Sequence, residues 1–230
     1  MRHVKRFHSL AVLGLAVLGA CAASLGLSAC TSTAPDHSKA PPVGVVEPSG
    51  ISSDKAPNAE TLYSMAKLLA ARGRDADAET ILAKLIAKHP EFMPAYSDLA
   101  EIYVRRERIE SAVEVLRAGI RHVPADAVLQ NDLGMCRLLQ HRYEDALEAF
   151  TAAAAGVPPD ARARANMAVA LGMLGRFDEA LAVYLQILPP ADAHYNVAIL
   201  SEARKDQERA RLEYATADAL APRRDPAKAH

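Results

Sequence analysis

The chain of 230 residues carries 27 Lys and Arg against 28 Asp and Glu, a formal net charge of −1, and half of its residues are hydrophobic. This balance argues against a nucleic-acid-binding protein, whose surface is normally strongly basic. Alanine is the commonest residue and Trp is absent, which favours closely packed helices over sheets because alanine is the best helix former.

The first 29 residues have the layout of an export signal. A start with three Arg and Lys residues is followed by a stretch from Ser9 to Ala34 that holds no charged residue and is rich in Leu, Val and Ala. This pattern predicts a secretory signal peptide at residues 1–29. An uncleaved membrane-spanning helix is the alternative, since the apolar stretch nears the ~20 residues that spanning requires.

The end of this signal resembles a bacterial lipobox, in which a small residue precedes the cysteine that is diacylated and becomes the new N-terminus. The run Leu27 to Cys30 has this form, and so does the run Leu18 to Cys21. Lipidation at Cys30 is favoured because cleavage at Cys21 would leave an apolar remnant, and Cys21 stays the alternative. The resemblance implies a lipid-anchored protein of the bacterial cell envelope, on the periplasmic face of the outer membrane.

A polar segment follows the signal. Residues 30–58 are rich in Pro, Ser, Gly and Lys and show no apolar periodicity. Such a composition buries too little apolar surface to offset the entropy of ordering, so it predicts a flexible tether.

Beyond the tether the sequence repeats itself, which is the strongest signal in the chain. Successive units begin 34, 34, 34 and 30 residues apart. They span residues 59–92, 93–126, 127–160, 161–190 and 191–222, and a disordered tail is predicted at 223–230. Within the units a small residue recurs at the eighth position, alanine at the twentieth, a bulky residue at the twenty-fourth and proline near the end. The first three of these columns are Ala66, Ala100, Gly134, Ala168 and Ala198; Ala78, Ala112, Ala146, Ala180 and Ala210; and Leu82, Leu116, Phe150, Tyr184 and Tyr214.

These columns describe pairs of antiparallel helices. Small residues let two helices approach closely, the bulky residue fills the space towards the next pair, and proline cannot continue a helix. Gly73 and Gly175 mark turns between helices, where glycine tolerates a positive φ. The pattern resembles the tetratricopeptide repeat (TPR) family. The resemblance implies an all-α fold, a TPR α-solenoid of about five helical hairpins with a shortened fourth unit.

The TPR resemblance also implies a concave groove lined by the first helix of each unit. The second, fifth, ninth, twelfth and thirteenth positions of each unit face that groove in the family. Carried over, they give a peptide-groove set with an apolar character: Asn131, Met135, Leu139, Val169, Met173, Tyr195 and Ile199, with Val128, Leu138 and Ala165 beside them. Charged or polar residues flank it: Tyr63, Lys67, Glu101 and Arg105 at one end, and Arg162 and Glu202 nearer the other. We therefore expect a protein or peptide partner, bound as an amphipathic helix or an extended segment.

A narrower resemblance begins in the fourth unit. The runs 166–172, 175–180 and 188–198, with an early Pro-Pro that shortens the unit, look like the closing repeats of TPR lipoproteins from tight-adherence (Tad/Flp) pilus systems. In that family the protein assists assembly of the pilus or its secretin. The alternatives are a periplasmic co-chaperone or cell-wall-complex adaptor, and a regulatory accessory of an enzyme.

Catalytic and metal-binding patterns are missing from the sequence. No Ser/His/Asp arrangement, catalytic carboxylate pair or Gly-rich phosphate loop occurs at motif spacing, and the three cysteines form no C-x-x-C pair. Cys136 reads as a buried, inert thiol rather than a reactive one. Arginines at 105–108 and acidic residues at 107–114 have spacings that pair along one exposed helix face. We predict a protein that is not an enzyme, with no cofactor, no metal, no small-molecule substrate and no nucleic-acid partner.

Overall fold

The computed structural model describes residues 58–156 and 161–221, and all ten regular elements in this part of the chain are α-helices. They are α1 (Ala59–Ala71), α2 (Asp75–Lys88), α3 (Met93–Arg105), α4 (Ile109–His122), α5 (Ala127–Leu139), α6 (Tyr143–Ala154), α7 (Ala161–Met173), α8 (Phe177–Tyr184), α9 (Pro190–Ala203) and α10 (Gln207–Leu220). Consecutive helices pair into five hairpins, and each hairpin packs on the next. The predicted all-α array of about five hairpins is confirmed.

Several predicted segments lie outside the described residues. They are the signal peptide, Cys21 and Cys30, the tether up to residue 57, and the tail from residue 223. Asn58, predicted as the end of the tether, is instead the N-cap of α1, because its side chain accepts a hydrogen bond from the backbone N–H of Thr61 at 2.8 Å. None of the helices that the structure describes is long and apolar enough to cross a membrane.

Each hairpin turns through one residue with a positive φ at the fifteenth position of its unit. In the first turn the backbone N–H of Gly73 donates to Ala70 O and that of Arg74 donates to Leu69 O, both at 2.9 Å. These bonds satisfy carbonyls that the helix end leaves free. The five turn residues are Gly73, Glu107, His141, Gly175 and Lys205, with φ between 59° and 80°. Glycine therefore marked only two of the turns, and three other residues adopt the same conformation at a steric cost.

The small residues let the two helices of a hairpin pack closely. A Cβ added to Gly134 would lie 2.5 Å from Cε1 of Phe150, inside any normal contact distance. Ala146 and Phe150 on the facing helix are both fully buried. The small eighth position thus accommodates the bulky twenty-fourth residue of its own hairpin, and not only the alanine at the twentieth.

Successive hairpins stack through a second set of contacts. Leu99 and Ile102, at the seventh and tenth positions of α3, join a buried cluster with Leu82 and Leu85 of the preceding α2. The equivalent clusters in the later units join Leu133 and Cys136 to Leu116, Met167 and Ala170 to Phe150, and Val197 and Leu200 to Tyr184. Because a hydrophobic side chain from each unit is buried by its neighbour, the array has a continuous core.

Ion pairs also join the first two units, and they differ from the pattern expected along α4. Arg105 pairs with Asp75 at 2.8 Å and with Glu101 at 2.7 Å. Arg106 and Arg108 both pair with Glu79 of the preceding hairpin. All three arginines therefore reach back to α2, and Arg105 also pairs with Glu101 on its own helix; none of these pairs involves the acidic residues at 107–114.

The fourth hairpin has a short second helix. Helix α8 contains 8 residues, and after a turn Pro189 and Pro190 start α9. Proline lacks a backbone N–H and fits the first turn of a helix, so the early Pro-Pro pair begins the fifth hairpin sooner than in the other units.

Candidate functional site

The first helices of the five hairpins, α1, α3, α5, α7 and α9, lie side by side along the array, with α3 touching α5, α5 touching α7 and α7 touching α9. We call the side chains at the second, fifth, ninth, twelfth and thirteenth positions of these helices the groove face. All seven predicted peptide-groove residues lie on it, and each is half-buried or exposed.

A ladder of side-chain hydrogen bonds runs along the groove face, joining the fifth position of one unit to the sixth position of the next. Asn166 Nδ2 donates to Asn131 Oδ1 at 2.8 Å, so one predicted groove residue serves as a rung. The two hydrogen-bonded rungs are Ser97 with Asp132 and Asn131 with Asn166. At the same positions of the first two units, the Asp98 carboxylate contributes to raising the pKa of Tyr63. Ala165 interrupts the pattern, since its methyl group can form no hydrogen bond. The hydrogen bonds join the second, third and fourth units and stop before the fifth.

Asp132, at the sixth position beside the groove face, is a carboxyl group with a perturbed pKa. Burial raises its pKa above the usual value, and the negative charges of Glu101 and Asp126 add to the rise. Hydrogen bonds from Ser97 and Asn131 work in the opposite direction because they stabilise the carboxylate. The carboxyl group of Asp132 is thus held half-buried in an environment that disfavours its charged form.

The central groove residues divide into a packed floor and exposed side chains. Met135 is half-buried and packs against the cluster of Ala146, Phe150 and Ala170. Val169 and Met173 pack in the same way against the next cluster, which joins α7, α8 and α9. Leu139, in contrast, is 38% exposed. The floor residues contribute to the fold as well as to the surface.

The C-terminal end of the groove face carries aromatic and aliphatic side chains together with the exposed carboxylates of Asp192 and Glu202. Tyr195 is 48% exposed, and its ring centroid lies 5.5 Å from that of Tyr214 in an edge-on arrangement. The hydroxyl of Tyr214 donates to Glu202 at 3.1 Å, which fixes the ring pair. Ile199 is half-buried one turn further along α9. These residues extend the apolar surface from α5 to α9.

The N-terminal end of the groove face has a different chemistry. A depression of about 290 Å³ lies between α1 and α3, with alanines on one side and Lys67, Asp98, Glu101 and Arg105 around it. The Arg105 guanidinium is already held by two carboxylates, and Lys67 Nζ lies 5.5 Å from the centroid of the Tyr63 ring. The groove face therefore has a charged depression in the first two units and an apolar centre on α5, and Arg162, Asp192 and Glu202 add exposed charges towards its C-terminal end.

The sequence prediction missed the ladder. The sequence does show polar residues at the sixth position of successive units: Asp98, Asp132, Asn166 and Asn196. This column predicts hydrogen bonds only once the structure shows that the sixth position lies opposite the fifth position of the preceding unit.

Among the described residues, reactive or metal-binding arrangements would involve Cys136 and the metal-binding residue types. Cys136 is 2% exposed and unpaired, and burial, helped by the charge of Asp132, raises its pKa to about 12. A thiol in this state is a poor nucleophile, since the thiolate is the reactive form. Over residues 58–156 and 161–221, no group of three or more His, Cys, Asp and Glu side chains is placed to hold a metal ion.

Stacked helical hairpins with one continuous face of first helices define a helical-repeat protein that binds other proteins. Two family models, both for the tetratricopeptide repeat, match residues 63–127 and 137–200 and together cover more than half of the chain. The chain belongs to the tetratricopeptide repeat family. It is a protein-interaction scaffold, and TPR domains bind peptide and protein partners.

Solved structures share this fold. A structure of MamA (MSR-1) is 22% identical and covers 70% of this chain and 95% of its own, with a TM-score of 0.55. YrrB, a TPR protein with an unusual peptide-binding site, is 23% identical over 73% of this chain and 88% of its own, with a TM-score of 0.56. PilF of Pseudomonas aeruginosa is 18% identical over 72% and 77%, with a TM-score of 0.55. At these identities the likeness shows the fold, and no curated protein matches the sequence.

Proposed function

We propose that the groove face binds an apolar segment of a partner protein. The observation that carries this proposal is the set of exposed apolar side chains on the groove face: Val128 is 59% exposed, Tyr195 48% and Leu139 38%. Exposed apolar side chains grouped on one face commonly mark a protein-binding surface. The half-buried Met135 and Met173 beneath them are flexible and can adapt to different partner shapes.

The polar end of the groove face orients this partner. Charged side chains surround the depression between α1 and α3, whereas the exposed groove residues of α5 are apolar. A bound segment therefore carries polar or charged residues over the first two units and an apolar stretch over α5. This arrangement gives the groove one preferred direction of binding.

The partner we propose belongs to a Tad/Flp pilus or its secretin, and the scaffold assists assembly of that envelope complex. Support comes from the Pro-Pro start of α9 and the short α8, the features of the narrower sequence resemblance. The fold is shared with PilF of Pseudomonas aeruginosa among other TPR proteins.

We also propose that the chain is anchored to the envelope by acylation of Cys30, with Cys21 as the alternative. Two or three acyl chains hold a protein stably on a membrane, whereas one is marginal. Intact mass of the membrane-extracted protein should show a diacylglyceryl cysteine at the new N-terminus. Cys30→Ser should abolish the modification and Cys21→Ser should not; an unmodified chain beginning at Met1 would refute the anchor.

Crosslinking in intact cells followed by co-purification tests the partner. We expect recovery of a secretin or a pilus platform protein with the unmodified chain, and its loss with Val128→Glu combined with Leu139→Glu. Both side chains are exposed, so the double variant should keep its helix content. Leu212→Glu is the matched control, because Leu212 is 61% exposed on α10, away from the groove face. Recovery of cell-wall synthases or of a single soluble enzyme instead would contradict the pilus assignment, and undiminished recovery by the folded double variant would exclude the groove face.

A further inference from the structure

The outer face of α1 exposes apolar side chains at two positions that the later units bury fully or in part. The seventh and tenth positions of α3 are Leu99 and Ile102, which are 2% and 1% exposed beneath α2. In α1 the same positions are Met65 and Leu68, and each is 52% exposed. Among residues 58–156 and 161–221 no hairpin precedes α1 to cover them. We call Thr61, Met65, Leu68 and Arg72, the third, seventh, tenth and fourteenth positions, the end face.

The interface between α2 and α3 shows what kind of element covers such a face. Leu82 and Leu85, three residues apart on α2, pack over the seventh and tenth positions of α3. One turn earlier on α2, Glu79 pairs with Arg106, which is the fourteenth residue of the second unit. A carboxylate followed by leucines three and six residues later, on one helix, is therefore the matching surface.

The end face resembles the surface of the second unit that α2 covers, because it has an arginine as well as apolar residues at the same repeat positions. Arg72 stands where Arg106 stands in the second unit, and it is exposed. In the part of the chain that the structure describes, Arg72 has no ion pair, whereas its neighbour Arg74 is held by Asp77 at 2.7 Å. A carboxylate on a docked helix can therefore pair with Arg72 in the way that Glu79 of α2 pairs with Arg106 in the next unit.

We propose that the end face docks an amphipathic helix of another protein, with a carboxylate facing Arg72 and two leucines, three and six residues later, over Leu68 and Met65. The helix takes the position that α2 takes on α3, so it extends the array by one helix. The end face shares no residue with the groove face, which uses the second, fifth, ninth, twelfth and thirteenth positions of α1. The scaffold therefore holds two partners at once, one in the groove and one at its N-terminal end.

Binding of a model helix to the full chain tests this proposal. The probe is a fluorescein-labelled synthetic peptide with the sequence of Asp75–Lys88, and the readout is fluorescence anisotropy. We expect saturable binding that weakens at least tenfold with Met65→Lys combined with Leu68→Lys. Helix content by circular dichroism should not change, because both side chains are half-exposed. Leu212→Lys on α10 is the matched control and should bind like the unmodified chain.

A charge exchange separates specific docking from general stickiness. Arg72→Glu should weaken binding of the peptide, and a peptide with Glu79→Arg should bind the unmodified chain weakly. Combining the two changes should restore much of the affinity. Absence of binding by the unmodified chain, or binding that ignores all of these changes, would overturn the proposal. Sedimentation that shows self-association abolished by the Met65 and Leu68 changes would also overturn it, because the occupant would then be a second copy of this chain.

Discussion

The close contact between Gly134 and Phe150 gives a sharp test of the hairpin packing. In Gly134→Ala the new Cβ would lie 2.5, 2.6 and 2.9 Å from three atoms of the Phe150 ring. The ring is fully buried in a cluster with Ala146 and Ala170, so it has little room to move. Overpacking of this kind costs about 1–3 kcal/mol, while the better helix propensity of alanine returns about 1 kcal/mol.

We therefore expect Gly134→Ala to lower the free energy of unfolding by up to about 2 kcal/mol. In an array of this size each kcal/mol corresponds to a change in Tm of roughly 2–4 °C. Chemical denaturation followed by circular dichroism measures the effect directly. In a double-mutant cycle, Phe150→Leu should relieve the clash, so the two changes together should cost less than the sum of each alone.

Two results would refute the reasoning. A stabilised Gly134→Ala variant would mean that the helix propensity of alanine outweighs the clash and that the ring moves freely. Strict additivity with Phe150→Leu would mean that the ring does not meet the new methyl group. Gly73→Ala is a useful contrast, since a Cβ there would meet nothing within 4 Å and only its φ of 73° resists the change.

Three further predictions concern single side chains. Glu107→Gly should raise the free energy of unfolding by about 1 kcal/mol, because glycine adopts the left-handed backbone of this exposed turn residue without steric cost. Thermal or chemical unfolding measures the change. Glu107→Ala is the control: it removes the charge but keeps the strain, so it should not stabilise the protein. Cys136 should resist a disulfide reagent in the folded protein at pH 8 and react once denaturant is added, and rapid labelling without denaturant would contradict its burial. Arg137→Met should leave the free energy of unfolding unchanged or raise it by about 1–2 kcal/mol in the same unfolding assay. The guanidinium is buried and donates a hydrogen bond to Gln140 at 2.7 Å, but its nearest described carboxylate, on Asp145, lies 3.9 Å away. A large loss of stability would show that the buried charge is well compensated.

The sequence columns predicted the fold because each follows from one packing requirement. Small residues such as Ala66 and Gly134 recur where helices approach, and bulky ones such as Leu82 and Phe150 recur where hairpins stack. A period of 34 residues is hard to mistake when several columns share it. The turn conformation was less predictable, since glycine is only the easiest of several residues that adopt a positive φ, and Lys205 adopts it too.

The groove face could be placed from the sequence only through the family resemblance. Side-chain partners are set by the offset between neighbouring units, which brings Asn131 to Asn166 rather than to Ala165, the residue at the matching repeat position. Arg105 shows the same limit: helix spacing predicts only partners close in sequence, whereas stacking also brings this arginine to Asp75 of the preceding hairpin. Periodicity therefore predicts which residues share a face, and the stacking geometry decides which of them bond.

Asp132 connects the stability of the array to its binding surface. Its pKa is raised in the folded state, so the folded protein holds this proton at pH values where the unfolded chain has already released it. Folding stability from this group is therefore largest at low pH and falls as the pH rises from the unfolded value through the raised folded value. At pH 7, where this carboxyl group is ionised in the unfolded chain, its raised pKa in the folded state opposes folding.

Asp132→Asn should accordingly stabilise the protein at pH 7, because the amide oxygen still accepts the hydrogen bond from Ser97 and no charge is buried. The gain should shrink at pH 4, where part of the Asp132 population in the folded protein is protonated. Thermal unfolding at both pH values measures this difference, with Asp98→Asn, at the same position of the preceding unit, as the matched control. An equal gain at both pH values would show that the ionisation of Asp132 is not the cause. If the stabilised variant also binds its partner less well, then the Asp132 carboxylate beside the groove face is retained for binding and at the expense of stability.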